Sequence, residues 1–430
     1  MIVGPNGAVY TDWGTQFSDQ LARSDDHGAA WQPLPGLGGQ IDFYATRALA
    51  VDPAGVVYAA LNGGGNASFY TDLSVSRDRG ASWTLLFRGF GTQDLDLGVD
   101  PFSATTLFLH SGLPDVLPFG PLFQGHLSRS ADGGASWTEI DQTIVADIGT
   151  QRSVTAFALD ATTSGRLYAA TALAEIVPGN PGPPRLSVSN DGGSTWPRAA
   201  DVPGVFNTLV VDPSQPATIQ GGGPSGIFRS GDGGQTFVST SAVSTRQIVG
   251  DPLHAGRFYA ATTANGVLAS TDGGWTWSAL NSGLTDLSIN AVALDAAGGY
   301  LYAATSSGVF VYRFPDPGTL VLDAAHPFSV TLSATDQRTG RVGPGVATPM
   351  NDLWGWFSIP AITGNPNNPE VFVKMLDGTA SNGSYWFFYG GLTDLAYTLT
   401  VTEDATGRQR TYTKPAGSEC GGSDTAAFTP

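Results

Sequence analysis

The chain has 430 residues, 41% of them apolar and 10% aromatic, with 57 glycines and 28 prolines. Enough apolar surface exists to bury a core, so Gly and Pro read as turns of a many-stranded protein, and the length suits two domains. The net charge of −17, with Lys374 and Lys414 the only lysines, argues against the phosphate-neutralising surface of a nucleic-acid binder and against a polybasic membrane contact. Cys420 is the only cysteine, which excludes an internal disulfide and a cysteine-based zinc site within one chain. No run of 18 apolar residues suggests a spanning helix, and no cofactor is implied. Low charge with abundant Thr, Ser, Gly and Asn fits a secreted or cell-surface protein.

In chain order, the first signal is an incomplete unit. Met1 to Tyr10 aligns with Leu49 to Tyr58, so the chain begins partway through a strand, and a longer precursor carrying a signal peptide upstream of Met1 is expected. From there a short pattern recurs. An apolar stretch ends in Asp-Pro or Asp-Ala, as at Asp52, Asp160, Asp212, Asp251 and Asp295. In four of these five units a Tyr-Ala-Ala run follows, as at Tyr58, Tyr168, Tyr259 and Tyr302. These runs are short, β-branched or aromatic, and bounded by Gly, Pro and Asp, which makes them strands.

Between them sits a second motif, Ser-x-Asp-x-Gly-x-x-Trp, in six copies. They are Ser24/Asp26/Gly28/Trp31, Ser76/Asp78/Gly80/Trp83, Ser130/Asp132/Gly134/Trp137, Ser189/Asp191/Gly193/Trp196, Ser230/Asp232/Gly234/Phe237 and Ser270/Asp272/Gly274/Trp277. Such a period marks a stacked array of one supersecondary unit. Each unit reads as four antiparallel strands A to D, with the box as the C–D hairpin. Within a box the Asp is expected to accept backbone N–H bonds, the Gly to supply a positive φ, and the Trp to fold back as a buried plug. Phe237 keeps that plug without the indole N–H. Ile289 to Phe314 supplies strands A to C of a last unit without a box. The expected fold is all-β, a seven-bladed β-propeller over residues 1–315 followed by a C-terminal β-sandwich over 316–430.

At these boxes the chain resembles the Asp-box (BNR-repeat) propeller superfamily, which includes sialidases, oligoxyloglucan-type glycoside hydrolases, sortilin-type receptor ectodomains and photosystem-assembly factors. The resemblance covers roughly residues 1–315. It implies a propeller in which the boxes are peripheral structural hairpins, without a catalytic role for their Ser, Asp and Trp. It does not imply one activity, because one fold hosts many functions.

Box-to-box spacings are 52, 54, 59, 41 and 40 residues. The extra length falls mainly in B–C loops, over 12–19, 62–70, 111–123 and 174–184, with long D–A connections over 39–46 and 143–152. The B–C and D–A connections share the face opposite the boxes, so insertions collect there over the first four units. Long loops on a rigid scaffold are where binding concentrates. They offer Asp12, Trp13, Asp42, Phe43, Tyr44, Tyr70, Asp115, Phe119, Phe123, Asp147 and Arg152. Aromatics among carboxylates suit sugar recognition, and mutual loop packing is the plainer alternative. Trp13, Tyr44, Tyr70, Phe119, Arg47, Arg152 and Arg246 are the expected ligand-binding residues.

Three enzyme readings follow. Sialidase chemistry draws on Arg47, Arg152 and Arg246, but the Arg-Ile-Pro signature ahead of the first box is absent. A glycoside hydrolase needs two carboxylates facing across a cleft, for which Asp12, Asp42 and Asp147 are the candidates. Metal-dependent hydrolysis lacks support, because His27, His110, His126, His254 and His326 show no ligand spacing, and no metal site is expected. The preferred reading is a non-catalytic secreted or surface protein that binds a glycan or protein partner through the loops opposite the boxes. A polysaccharide-active glycoside hydrolase and a structural subunit of an extracellular assembly are the alternatives.

After Pro315 alternating strands recur over Thr319–Leu322, Phe328–Ser333, Trp354–Ile359, Val371–Leu376, Tyr385–Tyr389, Ala396–Thr402 and Arg408–Thr413. The stretches 371–378, 382–392 and 424–428 resemble a C-terminal module of secreted bacterial proteins without an assigned activity. Trp354, Trp356, Trp386 and Tyr389 are candidates for a sugar-stacking platform, although core packing is the favoured expectation. The tail from Gly417 is expected to wrap the sandwich or fray. Attachment or assembly is the role expected of this module.

Overall fold

The computed structural model describes the chain outside residues 16–17, 36–43, 66–67, 91–93, 113–125, 146–151, 174–182, 298, 315, 324 and 418–420. Its contacts divide it into two units, Met1–Arg313 and Phe314–Pro430.

The first unit holds, among the described residues, six four-stranded antiparallel sheets and a last one of three strands. The first sheet contains β1 (Ile2–Val3), β2 (Val9–Thr15), β3 (Ser18–Ser24) and β4 (Gln32–Pro33). The second contains β5 (Tyr44–Val51), β6 (Val57–Gly65), β7 (Ser68–Ser76) and β8 (Thr84–Phe90). The third contains β9 (Asp94–Asp100), β10 (Ser103–Gly112), β11 (His126–Ser130) and β12 (Thr138–Glu139), after which comes the one-turn helix α1 (Gln142–Val145). The fourth contains β13 (Arg152–Leu159), β14 (Leu167–Leu173), β15 (Arg185–Ser189) and β16 (Arg198–Asp201). The fifth contains β17 (Thr208–Val211), β18 (Ile219–Gly223), β19 (Gly226–Ser230) and β20 (Val238–Ser241). The sixth contains β21 (Thr245–Gly250), β22 (Phe258–Thr262), β23 (Val267–Ser270) and β24 (Ser278–Ala279). The seventh has only β25 (Ile289–Asp295), β26 (Tyr300–Thr305) and β27 (Gly308–Arg313).

The first strands of successive sheets touch in order, and β1 touches both β5 and β25. The contacts therefore run in a cycle, with the first strands innermost. Apolar side chains of the second strands fill the spaces between sheets. Tyr10, Tyr58, Tyr168, Tyr259 and Tyr302 are all at most 3% exposed. Small neighbours make room for them: Ala59, Ala60, Ala169, Ala260 and Ala261 are fully buried.

Each Ser-x-Asp-x-Gly hairpin lies between a third and a fourth strand, held by its own side chains. In the third sheet Ser130 Oγ donates to Asp132 Oδ1 at 2.8 Å and accepts from the Gly134 amide at 2.8 Å. Asp132 in turn accepts from the Ser136 amide at 2.9 Å and the Ser136 hydroxyl at 2.6 Å. The same four bonds recur around Asp78, Asp191, Asp232 and Asp272. Asp26 lacks the last one because Ala30 stands where the others have Ser or Thr. Gly193 has φ +91°, and a Cβ there would fall 2.3 Å from Ile140 Cδ1 of the preceding sheet. Both facts require glycine. Gly234 and Gly274 meet the same two demands, with φ +91° and +83°; a Cβ would fall 2.5 Å from Leu186 Cδ2 at Gly234 and would strike the Gln220 side chain at Gly274.

The box aromatics correct the expectation of a buried plug. Trp31, Trp83, Trp137, Phe237 and Trp277 are only half-buried, and Trp196 is the most enclosed, 9% exposed. The reason is their place at the outer strands of each sheet, where a ring finds apolar cover on one side and solvent on the other. Trp83, Trp137, Phe237 and Trp277 each pack on an apolar cluster shared with the preceding sheet. Phe237 lies 5.3 Å from the Phe206 ring, so the missing indole is replaced by ring contact. Where the indole N–H is bonded it serves the hairpin or its neighbour. Trp137 donates to Gly134 O at 3.1 Å and Trp277 to Gly274 O at 3.2 Å, whereas Trp196 reaches Ile140 O of the preceding sheet at 2.6 Å.

The second unit has two five-stranded antiparallel sheets. One contains β28 (Thr319–Leu322), β29 (Phe328–Asp336), β30 (Arg341–Pro344), β35 (Ala396–Glu403) and β36 (Gln409–Lys414). The other contains β31 (Val346–Asn351), β32 (Trp354–Ser358), β33 (Val371–Gly378), β34 (Ser384–Gly391) and β37 (Gly421–Phe428). Two short helices, α2 (Pro360–Thr363) and α3 (Thr379–Asn382), flank β33. One core joins the two sheets, with Phe328, Val330, Leu399 and Val401 from the first and Phe357, Val373, Met375 and Phe387 from the second. Trp354, Trp356 and Trp386 depart from the core-packing expectation. Strand register places Trp354 beside Lys374 and Trp356 beside Phe372, on the face opposite Phe357 and Val373, where they are half-buried. The shorter apolar side chains at alternate positions already fill the core. Tyr389 packs against that core.

Candidate functional site

Strand topology places the turns after the first strands and the box hairpins at the same end of the unit. Hydrogen bonds confirm this within single sheets: the Gly192 amide donates to Gly165 O at 2.9 Å and the Gly273 amide to Gly256 O at 2.8 Å. Where the innermost strands end on this side, a cavity of about 440 Å³ opens. Its lining comes from five sheets, so it lies at the mouth of the axis. Val3, Pro5, Val51, Pro53, Val99, Pro101, Pro252, Leu253, Leu294 and Ala296 make it mostly apolar. Leu253 is 61% exposed, and the neighbouring Phe102 is 50% exposed.

The lining carboxylates are Asp52, Asp100 and Asp295, of which the first two bind backbone amides of their own turns, as does Asp251 beside Pro252. Asp52 Oδ1 accepts from the Ala54 amide at 2.9 Å and the Val56 amide at 2.8 Å. Asp100 Oδ1 accepts from the Phe102 amide at 2.8 Å, and Asp251 Oδ1 from the Leu253 amide at 2.9 Å. These Asx turns pin the prolines and Leu253 in place. Just inside, burial followed by the charge of Asp52 raises the Tyr58 hydroxyl above its ordinary value. Burial and then Asp295 act likewise on Tyr302. Both phenols stay neutral. The mouth thus presents apolar contact area among carboxylates, two of them held by their own turns, which suits an apolar group.

None of the sequence-predicted site residues is among the described residues that line this mouth. Asp42, Phe119 and Asp147 fall outside the described residues, as do the side chains of Trp13, Tyr44, Arg47, Tyr70 and Arg152. Asp12 is exposed on β2. Stretches expected as loops over 12–19 and 62–70 are largely continuations of hairpins, paired from Val9 with Ser24 out to Thr15 with Ser18 and from Val57 with Ser76 out to Gly65 with Ser68. Continued pairing satisfies backbone groups that a free loop leaves to water. Arg246 sits in a register shift of β21, and its guanidinium donates to Asn290 Oδ1 at 2.8 Å and to Ile289 O at 3.1 Å. Asn290 occupies the matching shift of β25. Such bulges re-aim a side chain, here into the next sheet. Spacing alone missed both this and the axial mouth, although the mouth's signal, Asp-Pro after four first strands, was present.

Among the described residues no cluster of His, Cys, Asp and Glu has metal-binding geometry, and no helix is long and apolar enough to cross a membrane. No protein-family model matches the chain, and no curated protein matches it. Solved structures do. A GH74 xyloglucanase from Xanthomonas campestris superimposes with a TM-score of 0.54 at 16% identity, covering 96% of this chain and 78% of that one. PorZ, a surface component of the type-IX secretion system of Porphyromonas gingivalis, superimposes with a TM-score of 0.50 at 14% identity, covering 95% of this chain and 57% of PorZ. Both are β-propeller folds, and the chain is accordingly similar to β-propellers in fold. At this identity the likeness shows the fold and leaves the activity open.

Proposed function

We propose that the chain is a non-catalytic extracellular or cell-surface binding protein, a seven-bladed Asp-box β-propeller followed by a β-sandwich, which takes a protein partner at its axial mouth. The observation carrying this reading is the composition of that mouth. It has roughly the volume of a ligand site, its lining is mostly proline, valine, leucine and alanine with Asp52, Asp100 and Asp295 among them, and Asp52 and Asp100 each hold backbone amides of their own turns. A sugar needs several free hydrogen-bonding groups. An apolar side chain on a peptide loop needs only the contact area, and burying one is worth about 1.5–3 kcal/mol.

The opposite face supports a second reading. Hairpins β2–β3 and β6–β7 project there, and a glycan is the proposed ligand for Trp13, Tyr44, Tyr70, Phe119, Arg47 and Arg152. Hydrolysis by Asp12 with Asp42 or Asp147 is the catalytic form of that proposal. Peptide display against the purified protein distinguishes the two faces. The mouth reading expects selected peptides with apolar anchors whose binding is lost in Leu253→Asp. Release of reducing ends from xyloglucan, abolished by Asp12→Ala, would instead establish an enzyme.

A further inference from the structure

The seventh sheet stops one strand short, and its edge differs from the equivalent strand elsewhere. Tyr259, Ala260 and Ala261 of β22 correspond to Tyr302, Ala303 and Ala304 of β26. By register Val309 and Phe310 therefore match Val267 and Leu268 of the sixth sheet. Val267 and Leu268 are 2% and 7% exposed, whereas Val309 and Phe310 are half-buried and the adjacent Val311 is 41% exposed. In the sixth sheet Leu268 and Ala269 face Ala279 and Ser278 of β24. Among the described residues no strand faces Phe310 and Val311 on that side.

A cleft marks the same vacancy. In the first and third sheets a residue just past the fourth strand, Leu34 or Ile140, bonds back to its own third strand and covers the box glycine of the next sheet, Gly80 or Gly193. Leu280 makes the same backbone bond, to Val267 O at 2.8 Å. The next sheet has no box for it to cover, because Arg313 is followed by Phe314 and the second unit. A cleft of about 80 Å³ remains, lined by Val267, Leu280, Ser282, Leu284, Leu301 and Phe310.

We propose that β27 is an acceptor edge, completed by an extended segment of another chain that adds antiparallel to it as a fourth strand. One apolar side chain of that segment enters the cleft beside Leu280, and its outward residues are small, as Ser278 and Ala279 are on β24. The repeat itself argues for this occupant, because six sheets of the unit carry such a strand in this place. Backbone pairing to Phe310 and Val311 supplies affinity, and the cleft supplies selectivity. A sheet edge without a paired strand is otherwise a liability for aggregation.

The test uses a labelled peptide copying residues 270–284, the sixth sheet's own box and fourth strand, added to the full chain. Expected are saturable anisotropy, absent for a scrambled peptide, and slowed amide exchange over 308–313. Ser282→Trp, an exposed position that closes the cleft, should weaken binding at least tenfold with an unchanged melting temperature, and Val311→Lys, whose parent side chain also packs beside Gly28, should weaken binding at the edge by a similar factor. Equal binding of the scrambled peptide, exchange unaltered at β27, or undiminished binding by Ser282→Trp would overturn the proposal. Sedimentation as a dimer that Val311→Lys dissolves would overturn it in favour of two copies paired edge to edge.

Discussion

His27 Nδ1 lies 3.2 Å from the Tyr302 hydroxyl, so the first box is joined to the second strand of the last sheet. The same imidazole stacks on Tyr300 with ring centroids 4.0 Å apart. Beside it, a Cβ on Gly28 would meet Val311 Cγ2 at 3.0 Å. Residues far apart in sequence thereby close the cycle of sheets. His27→Ala should lower stability by about 1 kcal/mol through the lost hydrogen bond. Denaturant unfolding of the variant checks this, and an unchanged midpoint would remove His27 from the closure.

Two glycines of the box hairpins, the variable-position Gly133 and the motif Gly193, separate steric need from conformational need. Gly133 has φ +73° with nothing within 4 Å of a built Cβ, whereas Gly193 combines φ +91° with Ile140 Cδ1 at 2.3 Å. Gly133→Ala should cost about 1–2 kcal/mol, the left-handed penalty alone. Gly193→Ala should cost roughly 1–3 kcal/mol more, because the side chain must displace Ile140. Thermal unfolding of the two variants side by side measures the difference.

Acid should weaken the box hairpins. Hydrogen bonds from Ser136 hold the Asp132 carboxyl at about 2, below its ordinary 3.8, and Asp78, Asp191 and Asp272 are held at about 2 in the same way. A lowered folded-state value contributes stability above pH 3.8 that is lost as pH falls toward 2. Urea midpoints should therefore drop between pH 4 and pH 2. Asp132→Asn should flatten that drop and lower the midpoint at pH 7.

Ala30 is the natural gap in this scheme. Ala30→Ser should restore the hydroxyl bond to the box carboxylate and raise the melting temperature slightly. A fall on substitution would mean that the fourth bond does not support the hairpin.

Much of the fold was legible because its signals are local. Ser-x-Asp-x-Gly needs only residues within one hairpin, and the missing box after Tyr312 announced a sheet of three strands. The hydroxyl before five of the six box aromatics, Ser82 or Thr195 for instance, is local too, although the motif leaves it unnamed. Other features depend on contacts between sheets. How far a ring such as Trp31 or Trp277 is covered depends on the neighbouring sheet, so the motif shows where the aromatic stands and not how deeply it is buried. Arg246 is turned toward Asn290 by a bulge that no spacing reveals. Trp354 and Trp356 alternate like core residues, but alternation cannot say which face is inward. The axial mouth is assembled from turns up to 290 residues apart, from Pro5 to Asp295, so only the closed cycle brings it together.

Affinity measured on two opposed variants tests the proposed function most directly. A peptide selected on the native chain should bind Leu253→Asp at least tenfold more weakly, about 1.4 kcal/mol, and bind Asp12→Ala as well as the parent. Loss of binding in Asp12→Ala with full binding by Leu253→Asp would contradict the axial-mouth account and move the site to the face opposite the boxes.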